Sequence, residues 1–124
     1  MPASNYLNDK LLDHTFRNTA WTSPTTVYVQ MHIGDPGGDC VNNGAAETTR
    51  KAVTFAAAAA NSISATGTPV ASWTAVAATE TWTDFSVWDA STAGNPLGYG
   101  DMAPTVPVAS GGDAELTALT FTHS

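Results

Sequence analysis

Apolar and polar residues change rhythm once along this chain. Between Asn5 and Phe16 the apolar residues Leu7, Leu11, Leu12 and Phe16 recur at helical spacing. Ser4 stands where its side-chain oxygen can accept an N–H of the first turn. The segment predicts one short amphipathic helix with a single apolar stripe. So short a helix is marginal alone and must lie on its own sheet or on a neighbouring subunit. After the linker Asn18–Pro24 the period becomes two. Thr25–Ile33 sets Val27, Val29, Met31 and Ile33 on one face and Tyr28, Gln30 and His32 on the other. This is the clearest strand of the sequence.

Further strands are expected at Arg50–Phe55, around Ile63, at Val70–Val76, and across Glu80–Ala90 with Trp82, Phe85, Val87 and Trp88. Along one straight strand Trp82 and Trp88 would share a face. Gly94-Asn95-Pro96 turns the chain, and Leu97–Met102 pairs with Glu80–Ala90 as a hairpin. Thr105–Val108, bounded by Pro104 and Pro107, is at most an edge strand. Glu115–Thr122 reads as one last strand. The run Ala56–Ala60 is too short for a stable helix and reads as an irregular connector. Six to eight short strands with regular turn signals predict an all-β domain, a β-sandwich or small barrel, led by one helix. The expected organisation is a single domain over residues 1–124, with the helix at 4–17 and the β body at 25–124.

The loop Gly34–Thr49 is long and polar, with Asp35, Asp39, Asn42, Asn43 and Glu47 and almost nothing suited to a core. Such a segment orders only if something beyond its own packing holds it, here a neighbouring subunit or the surface below.

Composition narrows the function. Charged residues are 12% of the chain, about half the ~25% of ordinary soluble proteins. A surface poor in charge and rich in Thr and Ala suits an assembly, where charges must be desolvated at each contact. The net charge is −7, and the four cations Lys10, Arg17, Arg50 and Lys51 make no basic stripe, so nucleic acid is not an expected partner. No apolar run reaches the ~20 residues of a membrane helix, and no basic start with an apolar core marks a signal peptide. Folding in a host cytoplasm is expected. Cys40 is the one cysteine, so no disulfide forms within the chain.

Chemistry-bearing patterns are scarce. His14, His32 and His123 lack metal-ligand spacing. Asp35 and Asp39 flank a Gly-rich turn without the glutamate and spacing of a calcium-binding loop. No Gly-x-Ser-x-Gly elbow and no Walker loop occurs. The expectation is a protein that is not an enzyme and needs no cofactor or metal. Trp21, Trp73, Trp82 and Trp88 read as core and interface packing. A sugar-stacking role would need Trp21, Trp73 or Trp88 exposed beside polar groups.

The runs Leu11-Leu12-Asp13-His14-x-Phe16, Pro24-x-Thr26-Val27-Tyr28-Val29, Arg50-x-Ala52-Val53-x-Phe55, Ala71-Ser72-Trp73, Trp88-Asp89-Ala90 and Gly94-Asn95-x-Leu97-x-Tyr99-Gly100 follow one another in this order. The series resembles a family of small structural proteins of tailed bacteriophages. The resemblance implies a virion component and transfers no catalytic residue. Small size, acidity and the missing basic patch favour a head decoration, or cement, protein. It would bind as a homotrimer to the major capsid protein and stabilise the shell by mass action. The alternative is a minor tail or tail-fibre component docked on tail proteins, and a carbohydrate-binding module comes third. The assembly contacts expected are Leu7, Leu11, Phe16, Trp21, Asp35 and Asp39.

Overall fold

The computed structural model describes residues 3–123. Helix α1 spans Asn5–Phe16. Eight strands follow: β1 Val27–His32, β2 Lys51–Phe55, β3 Ser62–Thr66, β4 Ala71–Trp73, β5 Glu80–Trp88, β6 Pro96–Val108, β7 Ala114–Leu116 and β8 Thr120–Thr122. Six form one sheet in the order β6-β5-β1-β2-β3-β8, every neighbour pair antiparallel. β4 and β7 form a separate two-stranded sheet. The long sheet curls until β8 faces β6, giving a nearly closed small barrel. Gly98 on β6 has no side chain, and the Phe121 ring of β8 occupies the space a Cβ there would need. A ring against a backbone therefore makes the seam, with no ladder hydrogen bonds between the two edges.

The core lies inside the curl. Val29 and Met31 from β1 and Phe85 and Val87 from β5 meet Trp73 and Trp82, whose rings stand edge to face at 5.1 Å and 71°. Trp73 anchors the small sheet by donating its indole N–H to the Thr49 carbonyl at 2.8 Å.

The all-β expectation holds, with its helix at the predicted place and the β5–β6 hairpin as read. Ala56–Ala60 is indeed an irregular connector, turning through Ala60 and Asn61 at positive φ. Two local readings need correction, and one segment proves part of a longer strand. Trp82 and Trp88 do not share a face, because the β5–β6 register is irregular between Trp82 and Asp84, where Val106 to Asp101 of β6 oppose two steps of β5, and the alternation reverses there. Trp82 enters the core; Asp84, Ser86 and Trp88 point the other way. Thr105–Val108 is edge strand as read, and it continues Leu97–Met102 in the one edge strand β6, whose outer N–H groups need no partner. Glu115–Thr122 is not one strand. Thr117–Leu119 breaks it, and β7 and β8 go to different sheets.

Candidate functional site

Ser4 fixes the helix to the barrel. Its hydroxyl oxygen accepts the Leu7 N–H at 3.1 Å as the N-cap, and its hydroxyl proton goes to the Pro96 carbonyl at 2.5 Å. Its backbone N–H donates to the Leu97 carbonyl, and Ala3 pairs with Gly98 as a single bridge on β6. Ser4 is wholly buried, so cap and rivet are one residue. The cap agrees with the sequence reading; the rivet had no sequence signal.

The single apolar stripe is a correction. At about 100° per residue, Leu11 falls some 40° from Leu7, but Leu12 and Phe16 fall roughly 140° and 180° away. Leu7 and Leu11 turn inward and are half-buried. Leu12 and Phe16 turn outward, 54% and 79% exposed. Beneath Leu7 an apolar cavity of about 230 Å³ opens between the helix and the curled sheet, walled by Val27, Phe55, Ile63, Val87, Leu97 and Phe121. Asp13 and Arg17 pair at 3.1 Å on the helix surface, a contact worth little in water.

The loop after β1 is also corrected. It does contribute to the interior: Pro36, Cys40 and Ala45 are buried. Gly34–Gly44 lies as a strap over the outer face of β1 and β5. The Ile33 N–H donates to Asn43 and the Ala45 N–H to Met31. The Asn5 N–H donates to the Gly38 carbonyl at 3.0 Å, joining strap to helix. The holders of this loop therefore lie within the chain. Burial pushes the Cys40 thiol up to about 12, with Asp39 and Asp35 adding to the shift.

Under the strap, His32 is buried. Its Nδ1 lies 2.8 Å from the Asn42 carbonyl and its Nε2 2.7 Å from the Ser86 hydroxyl. The Trp88 indole N–H donates to the same hydroxyl at 2.7 Å. The Ser86–His32 spacing is that of a nucleophile and its base, but Ser86 is sealed from solvent and already engaged by two partners. The Arg50 guanidinium stacks on Trp88, 3.8 Å from the ring centre, and donates to Gln30 and to the Ala90 and Ala93 carbonyls. Alternation alone placed His32 on a polar face and gave no sign that the strap would cover it.

The six expected contact residues do not form one patch. Leu7 lines the cavity under the helix, Leu11 is half-buried on the same face, and Trp21 is half-buried against the core. Asp35 accepts the Gly37 N–H at 2.9 Å, and Asp39 accepts the Asn5 side-chain amide at 3.0 Å. Both thus have a local role within the strap and its joint to α1. Of the six, Phe16 stands free on the surface, joined there by Leu12, which periodicity had assigned to the inner stripe. Ile33 and Val41 are further exposed apolar side chains. Trp73 and Trp88 are buried and offer no sugar platform. Among the described residues no three His, Cys, Asp or Glu side chains converge to hold a metal ion, and no helix is long and apolar enough to cross a membrane.

Residues 2–124 match the family model described as podophage GP4 fiber I protein gp80. The chain belongs to this family. It is a bacteriophage structural protein, as the ordered motifs implied. No curated protein matches the chain. The gp80 match spans the residues of helix, strap and barrel together.

Proposed function

We propose that this protein is a fibre component of a podophage virion, built to dock and not to catalyse. The observation that carries the reading is the family match over residues 2–124. It favours the tail-fibre alternative over head decoration. The outward pair Leu12 and Phe16 supports a docking role, since a soluble surface seldom leaves two large apolar side chains a helical turn apart in water without use. The partners are copies of the same chain, with a homotrimer as the working arrangement, and tail proteins of the virion. No cofactor takes part. Binding only to the assembled structure stabilises it by the free energy of the contact.

Labelling purified virions with an antibody against this chain tests the proposal. Label on fibres is the expected result. Label spread over the heads would overturn it and restore the decoration reading.

A further inference from the structure

The bonds beneath the strap run in a direction fixed by proton count. The Trp88 indole N–H can only donate, and it donates to the Ser86 oxygen at 2.7 Å. The Asn42 carbonyl can only accept, so the proton 2.8 Å away belongs to His32 Nδ1. A neutral imidazole carries one N–H, which leaves Nε2 as the acceptor of the Ser86 proton at 2.7 Å. Every member is satisfied when His32 is neutral. A second ring proton would turn Nε2 into a donor. The Ser86 oxygen would then accept from both sides, and its own proton would lose its acceptor. Ser86 is 0% and His32 1% exposed, so water does not relieve the mismatch.

Charged neighbours face this group from each side. Asp84 on β5 lies opposite His32, Asp101 on β6 lies opposite Asp84, Asp35 belongs to the strap, and Arg50 precedes β2. Asn42 belongs to the strap as well, and the strap's Gly38 carbonyl and Asp39 carboxylate hold Asn5. The bonds therefore run continuously from the indole of β5 to the first turn of α1.

We propose that this row is a proton-operated latch: neutral His32 holds the strap Gly34–Gly44, and through it the start of α1, against the sheet, and protonation of His32 releases both. The charged ring regains water by leaving the covered face of β1, which displaces Asn42 and the strap with it. Burial lowers the His32 pKa below its ordinary value; the Asn42 contact and Asp84 act against this, and Arg50 adds to it. A lowered histidine pKa contributes stability that is complete above about pH 6.5 and is lost as the pH falls below it. The Asp84 carboxyl is shifted upward by burial, so acid acts on it with the opposite sign. An Asp84→Asn background removes that contribution.

Hydrogen exchange of the full chain at pH 7.5 and pH 5, corrected for intrinsic exchange rates, reads the latch. In the wild type and in Asp84→Asn, strap amides and those of Asn5–Asn8 should lose protection toward pH 5. The loss approaches tenfold per unit between about pH 6.5 and the folded pKa and levels off below the folded pKa. Amides of β2 and β3 should not change. In His32→Gln this dependence on pH should vanish. Should that variant fail to fold, the wild type is titrated by NMR. The strap amides should then shift with the same midpoint as the His32 ring, and that midpoint should lie below its ordinary value. Strap protection equal at both pH values, the same acid loss in His32→Gln, or separate NMR midpoints would overturn the proposal.

Discussion

Gly98 and Cys40 are set by what lies against them. A Cβ on Gly98 would run into the Phe121 ring. Gly98→Val should therefore force the seam apart and cost about 1–3 kcal/mol, the usual range for overpacking. Urea unfolding measures it, and a loss within 0.5 kcal/mol would mean that β8 moves aside freely. Cys40 has its thiol pushed up to about 12 by burial and two nearby carboxylates. Only the thiolate attacks. A thiol-reactive dye at pH 8 should leave the native protein unlabelled and modify it fully in denaturant. Prompt labelling of the native protein would show that the strap opens readily at that pH. Neither residue declares its setting in sequence. A lone cysteine reads as semi-buried by residue type, without a hint of the strap that seals it, and a glycine in a strand reads as a weak spot until the ring across the seam is known.

At the scale of the element, α1 separates two tasks by face. Leu12→Ser with Phe16→Ser should leave stability within about 0.5 kcal/mol of the wild type, as for most surface changes. The same pair should reduce incorporation into virions. Leu11→Asp places a charge on the inward face and should destabilise the chain by up to about 3 kcal/mol. Thermal melts and virion protein content separate the two effects. If both variants merely lower stability, the outer face has no partner. Much at this scale was legible. Alternation from Val27 to Ile33 located β1, Ser4 announced the helix, and Gly94-Asn95-Pro96 announced the hairpin. The failures share a cause, which is that burial depends on neighbours remote in sequence. The irregular register at Trp82–Asp84 reversed a strand's faces without a glycine to mark it. Leu12 and Phe16 kept a helical spacing with Leu7 and Leu11 while pointing elsewhere, since nothing in a spacing says where the sheet will be. Among the candidate contacts, Trp21 packs on the core of its own chain and Leu7 and Leu11 are half-buried, which spacing alone does not reveal.

For the whole molecule, the scarcity of charge limits the contacts available to the proposed assembly. With four cations against eleven acids, salt bridges between like subunits are few. Apolar contacts persist or strengthen in salt, whereas charge-based docking fades over a Debye length of ~8–10 Å at physiological ionic strength. Virions washed in about 1 M NaCl should keep this protein. Clean release at that salt with retention at low salt would mean that its acids dock on a basic surface.

The two margins of the long sheet carry a separate consequence. One margin is β6, interrupted by prolines and paired with Ala3; the other is β8, three residues long. Neither is a template on which another chain could lay down a strand. Edges of this kind guard the chain against runaway polymerisation of the amyloid kind. In the proposed fibre, growth is thus left to side-chain contacts and attachment sites and not to strand-by-strand addition.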